Sequence, residues 1–91
     1  MPITSRSEFE AVLYKLCLRV DKALTELGQV PSIEDAKRTL QQVAQSSKDG
    51  PRLKSLRAQL ERACDSLIAN VDDSKLRDDL WDCLDYVDYR A

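Results

Sequence analysis

The residues of this chain with the clearest capacity for chemistry lie near its C-terminal end, where carboxylates alternate with aromatic rings. If the segment from 74 to 89 is helical, its apolar side leaves an opposite side formed by Asp78, Asp82, Asp85, Tyr86 and Tyr89, with Trp81 at its margin. We call these six residues the acidic-aromatic face. Aromatic side chains supply much of the binding energy of protein interfaces, and carboxylates around them favour a basic partner. The pattern therefore predicts a surface that binds another protein.

Metal binding and catalysis have little support in the same residues. Asp78, Asp82 and Asp85 offer the hard oxygen ligands that Mg²⁺ and Ca²⁺ prefer, but no loop of calcium-binding pattern accompanies them. The chain has no histidine, which removes the commonest general base and zinc ligand, and no glycine-rich phosphate loop. We therefore expect no metal, no cofactor and no enzymatic activity.

The three cysteines, Cys17, Cys64 and Cys83, match neither a disulfide framework nor a metal motif in their spacing. Each falls on the apolar side of a predicted helix. We expect them to be small buried side chains with reduced thiols, and the alternative is a regulatory disulfide.

The composition predicts one helical domain. Ninety-one residues suffice for one core, and 43% hydrophobic with 33% charged residues is typical of a globular protein. Only two glycines and three prolines occur, and strand-favouring runs are lacking, which indicates an all-α fold. The first six residues lack the apolar stretch of a signal peptide, and no run approaches the roughly 20 apolar residues of a membrane span, so a cytoplasmic location is expected.

Capping signals and apolar stripes predict four helices at about 8–27, 33–46, 51–69 and 74–89, after a flexible tail at 1–6. The first helix begins with a capping box formed by Ser7 and Glu10, and Gly28 ends it. Its predicted core stripe is Phe9, Leu13, Leu16, Val20, Ala23 and Leu27.

The connections between the predicted helices are short. Ser32 is expected to cap the second helix, Pro51 fits the first turn of the third, and residues 72–74 cap the fourth. Short connections place consecutive helices side by side and antiparallel. The predicted fold is therefore an all-α, up-down-up-down four-helix bundle over residues 7–91, and the alternative is a set of helical hairpins that complete a bundle by dimerisation.

The first predicted helix carries a second apolar side, opposite its core stripe. It consists of Ala11, Tyr14, Leu18 and Thr25, which we call the helix-one patch. Its predicted polar rim consists of Glu10, Lys15, Arg19, Asp21 and Lys22. The patch predicts a homodimer interface or a second partner surface, although isolated exposed apolar residues also occur by chance.

The segment that contains the last predicted helix is acidic, whereas the rest of the chain is slightly basic. The last 20 residues hold seven acidic and three basic side chains, whereas the first 71 hold nine acidic and 11 basic ones. Carboxylates repel phosphates, so this end does not favour nucleic acid. The alternative function is a helix-turn-helix nucleic-acid-binding regulator that uses the third helix, with Arg52, Lys54 and Arg57 near its N-terminus. The function that the sequence favours is a small regulator or adaptor that binds a protein.

Overall fold

The chain folds into five helices joined by short connections. The structure, a computed structural model, describes residues 3–90. The helices are α1 (Arg6–Leu27), α2 (Pro31–Gln45), α3 (Gly50–Ser55), α4 (Arg57–Asn70) and α5 (Ser74–Tyr89). Both α1 and α4 pack on α2 and on α5, and the short α3 packs on α4 and α5. The described residues contain no strand. The prediction of an all-α fold is confirmed, and the up-down-up-down order stays a prediction.

One hydrophobic core lies between these helices, and all five contribute to it. Its largest fully buried side chains are Phe9, Leu13, Leu16, Val20, Ile33, Leu40, Val43, Leu53, Leu60, Leu67, Leu80 and Val87. Within α1, α2, α4 and α5 these positions are three, four or seven residues apart, as an amphipathic stripe requires. Within residues 3–90, no helix is both long enough and apolar enough to cross a membrane.

The predicted stripe of α1 is wrong at its last member. Leu27 is 52% exposed. It is the final residue of α1, and Gly28 beyond it has a φ of 82°, a left-handed conformation that turns the chain away. The core therefore ends one turn earlier, at Ala23.

The start of α1 lies two residues before the predicted position. The Ser5 hydroxyl accepts the Glu8 backbone N–H at 3.2 Å, and the Thr4 hydroxyl donates to the Glu8 carboxylate at 2.7 Å. The cap therefore uses Ser5 and Glu8 instead of Ser7 and Glu10, at the same three-residue spacing.

The segment before α1 also differs from the predicted tail. Ile3 is buried in the core, and Arg6 is already helical. Burial of an aliphatic side chain stabilises its position by about 1.5–3 kcal/mol, so residues 3–6 belong to the folded domain. Residues 1 and 2 of the predicted tail lie outside the described residues.

The predicted third helix is two helices, because its hydrogen-bond pattern tightens at Leu56. The Leu56 N–H is shared between the carbonyls of Arg52 and Leu53, each at 3.1 Å. The Ser55 hydroxyl also donates to the Arg52 carbonyl, at 2.6 Å, and competes with the helical bond there. Predicted helix 51–69 therefore corresponds to α3 and α4 together.

Candidate protein-interaction surfaces

The helix that carries the acidic-aromatic face is fixed at its N-terminus by Asp73. The Asp73 side chain accepts the backbone N–H groups of Lys75 and Leu76, each at 3.1 Å, as predicted for a cap in residues 72–74. The Arg19 Nε of α1 donates to the same carboxylate at 2.7 Å. This hydrogen bond from Arg19, together with that from the Leu76 N–H, lowers the pKa of Asp73.

The other end of α5 is fixed by Arg57 of α4. Its Nε donates to Asp88 at 2.9 Å, and the same guanidinium pairs with Glu61 one turn along α4. The hydrogen bond to Asp88 is the main reason that the pKa of Arg57 is raised. Ion pairs at its two ends therefore tie α5 to α1 and to α4.

Five of the six residues predicted for the acidic-aromatic face lie on the outer side of α5. Tyr89 is 82% exposed and Trp81 is 40% exposed. Asp78 and Asp85 are exposed and Asp82 is half-buried. Helical spacing places Trp81 beside both exposed carboxylates, three residues after Asp78 and four before Asp85, and on the same side of α5 as Asp88.

Tyr86 was predicted for the exposed acidic-aromatic face, but the structure buries it: only 9% of the Tyr86 surface is exposed. Its ring stacks on Phe9 of α1, with centroids 4.2 Å apart and planes at 18°. One signal for this burial was present in the sequence. Tyr86 lies three residues after Cys83 and directly before Val87, so it adjoins the apolar stripe on the side that faces α1.

A shallow groove of about 220 Å³ borders the acidic-aromatic face. Its walls are formed by Asp82, Asp85, Tyr86, Tyr89 and Arg90 of the C-terminal end together with Ile3. Ile3 was missed from the sequence because it precedes the first helix and belongs to no periodic stripe. Tyr86, although mostly buried, therefore still lines this groove beside the exposed Tyr89.

The helix-one patch is exposed throughout. Tyr14 is 67% exposed and Leu18 is 52% exposed, and Ala11 and Thr25 are also in the exposed class. A groove of about 460 Å³ between α1 and α2 continues from Tyr14. It is lined by Glu10, Tyr14, Cys17, Gln41, Ala44 and Gln45.

The rim of the helix-one patch carries charges of opposite sign on its two sides. Glu10 and Asp21 lie on the side toward α2, where Asp21 pairs with Lys37. Lys15 and Lys22 lie on the other side, and both are exposed. Arg19, which was predicted for the rim, instead turns toward Asp73 and is half-buried.

The three cysteines are free thiols in the interior or at its edge. Cys64 and Cys83 are buried and Cys17 is half-buried. Burial raises the pKa of Cys64 to about 12 and raises that of Cys83 as well. Because a thiolate is the reactive form, these environments keep Cys64 and Cys83 inert near neutral pH.

In the part of the chain that the structure describes, neither a metal site nor the helix-turn-helix alternative is supported by a comparable group of side chains. Within residues 3–90, no group of three or more His, Cys, Asp or Glu side chains is placed to hold a metal ion. Of the basic residues named for the helix-turn-helix alternative, Arg52 and Lys54 are exposed on α3, whereas Arg57 is engaged by Asp88 and Glu61.

Comparisons of the chain with family models, with curated proteins and with solved structures found no match.

Proposed function

We propose that this protein is a small cytoplasmic regulator or adaptor without chemistry of its own, which binds a basic surface of another protein through the acidic-aromatic face. A single observation carries the proposal. The large hydrophobic side chains that residues 3–90 expose are Tyr14, Leu18, Leu27, Trp81 and Tyr89. All except Leu27 fall on one of two surfaces, the acidic-aromatic face and the helix-one patch.

Trp81 and Tyr89 are the residues that we expect to contribute most of the binding energy. An indole and a phenol combine a large apolar area with a polar edge and lose little rotamer freedom on binding, which is why such residues dominate interfaces. They lie two helical turns apart on α5, so one extended segment or one helix of a partner can contact both.

The carboxylates of the same face determine which partner fits. Asp78 and Asp85 are exposed beside the two rings, and residues 72–91 together carry a formal charge of −4. A basic partner gains favourable long-range attraction to this end, which raises its association rate more than its final affinity. An acidic partner is repelled.

The fixed position of α5 supports binding without a large change of shape. Asp73 holds its first turn to Arg19, and Asp88 in its last turn pairs with Arg57. A surface that is already ordered loses less conformational entropy on association. In the up-down-up-down arrangement that we also propose, the other helices serve as the scaffold for this surface.

The test is affinity capture of partners from a native lysate, compared between wild type and the double variant Trp81→Ala, Tyr89→Ala. We expect a specific protein to be captured by wild type and lost from the double variant, with its capture weakened by Asp78→Asn together with Asp85→Asn. Leu27→Ala is the matched control, since it removes a similarly exposed apolar side chain outside both surfaces. Equal capture by wild type and the double variant contradicts the proposal.

The rival proposal is nucleic-acid binding through α3 and α4. It receives less support because Arg57 is occupied by two carboxylates of its own chain. A retarded DNA or RNA band whose affinity falls steeply with salt, and which Lys54→Glu abolishes, would favour this rival.

A further inference from the structure

The helix-one patch has the spacing of a short coiled-coil contact. Ala11, Leu18 and Thr25 recur every seven residues, and Tyr14 lies three residues after the first of them. These are the a and d positions of a heptad, which form the contact between two supercoiled helices. The core of the protein uses the opposite side of α1, so the patch is available to a second helix.

The charges beside the patch follow the same heptad. Glu10 occupies a g position, and Lys15 and Lys22 occupy e positions. The remaining d position is Asp21, whose carboxylate is held by Lys37 on the α2 side. The patch therefore has an acidic edge toward α2 and a basic edge on its other side.

Within the chain, Glu10 also pairs with Arg6 at 3.5 Å and Lys22 with Glu26 at 3.9 Å, and both pairs are exposed. Because exposed pairs of this kind contribute little to stability, Glu10 on the acidic edge and Lys15 on the basic edge can still pair across an interface.

We propose that the occupant of the helix-one patch is a second copy of this chain, with the two α1 helices parallel and related by a two-fold axis along their length. In this arrangement Glu10 on each acidic edge meets the partner's basic edge, and the two Asp21 side chains face each other at the d position, each neutralised by Lys37 of its own chain. Glu10 lies opposite the partner's Lys15, the g-to-e pairing of parallel coiled coils. An antiparallel arrangement brings the basic edges together, so that Lys15 and Lys22 repel the partner's lysines.

The size of the patch indicates a reversible dimer. From Ala11 to Thr25 it covers about 21 Å of the helix at 1.5 Å per residue. The groove of about 460 Å³ beside Tyr14 extends the contact toward α2. Two heptads with one polar d position form a small interface, and small interfaces are typical of transient association.

The test is sedimentation equilibrium of the full chain over about 1 μM to 1 mM, a range that detects weak dimers. We expect wild type to dimerise within this range. Glu10→Lys and Lys15→Glu each convert two attractive pairs per dimer into repulsive ones, and we expect each to weaken dimerisation about tenfold. An equimolar mixture of the two variants re-creates both attractive pairs, so the mixture dimerises about as tightly as wild type.

The controls separate a charge effect at the patch from a general one. Lys54→Glu makes the same change of net charge as Lys15→Glu at an exposed position on α3, and it leaves dimerisation unchanged. Leu18→Glu gives a monomer with wild-type helix content by circular dichroism. A wild type that stays monomeric at the highest concentration overturns the proposal.

The sign of the Lys15→Glu effect tests the orientation. In an antiparallel dimer this change removes lysine repulsion and strengthens association, which also overturns the proposal. The inference does not depend on the acidic-aromatic face, because the measurement uses the purified chain alone. Trp81→Ala with Tyr89→Ala therefore leaves the dimerisation constant unchanged.

Discussion

The rings of Phe9 and Tyr86 stack with their centroids 4.2 Å apart, and they join the first turn of α1 to the last turn of α5. Phe9 is fully buried and Tyr86 nearly so. The two ends of the described chain are therefore packed against each other, and the acidic-aromatic face lies directly outside this contact.

Loss of this stacked pair should destabilise the whole fold. We expect Phe9→Ala to lower the free energy of unfolding by about 3–5 kcal/mol, because it removes a fully buried ring and leaves a cavity. A double-mutant cycle with Phe9→Leu and Tyr86→Leu should give a coupling energy of about 0.5–1.5 kcal/mol for the ring contact. Urea unfolding measures both values, and independent effects of the two leucine substitutions would contradict the stacking.

The cap at Asp73 should make stability depend on pH in a defined direction. Its pKa in the folded chain is below the ordinary value, so its charged form stabilises the fold. That contribution is complete above the ordinary carboxyl pKa of about 4 and is lost as the pH falls through the lower folded value. Asp73→Asn retains an oxygen for the N–H groups but removes the charge that attracts Arg19.

The stability difference between wild type and Asp73→Asn is therefore expected to be present at pH 6 and to shrink as the pH approaches 2. Denaturant unfolding at a series of pH values measures it. A difference that stays constant over this range would show that the charge of Asp73 contributes nothing.

Two leucines of α1 should respond very differently to truncation. Leu16 is fully buried, whereas Leu27 is half-exposed at the end of the helix. We expect Leu16→Ala to lower the free energy of unfolding by about 2–5 kcal/mol, and Leu27→Ala to change it by less than about 1 kcal/mol. Similar losses for the two variants in urea unfolding would place Leu27 in the core after all.

Thiol reactivity should follow burial. Cys64 and Cys83 are buried with raised pKa values, and Cys17 lies at the edge of the groove beside Tyr14. We expect Ellman's reagent to modify Cys17 in the folded protein, more slowly than a free thiol, and to modify the other two only as the protein unfolds. Rapid modification of all three thiols without denaturant would contradict the packing of α4 and α5.

The sequence predicted several features of this fold that depend on local physics, although two of its caps were wrong: Ser5 caps α1 in place of Ser7, and α2 begins at Pro31 with no side-chain cap from Ser32. Gly28 ends α1 because glycine adopts a positive φ without strain, and Asp73 caps α5 because its carboxylate reaches two free N–H groups. The buried stripes followed from helical periodicity. These signals lie within a few residues of each other, so they need no knowledge of the tertiary structure.

The wrong prediction for Tyr86 and the choice of partner for Arg57 depend on contacts between distant segments. Tyr86 adjoins the apolar stripe of α5 but carries a polar hydroxyl that is equally compatible with the surface, and its stacking on Phe9 of α1 accounts for its burial. Arg57 had several possible partners on α5, and the packing of α4 on α5 selects Asp88. For the candidate site, the sequence therefore placed Trp81 and Tyr89 on the exposed side and could not distinguish Tyr86 from them.

The most direct test of the proposed function is hydroxyl-radical footprinting of the complex with a captured partner, compared with the free protein. Trp81 is the only tryptophan of the chain, so its oxidation is assigned without ambiguity. The account predicts that oxidation of Trp81 and Tyr89 falls in the complex while that of Leu27 stays unchanged. Unchanged oxidation of Trp81 and Tyr89 would contradict a partner surface on α5.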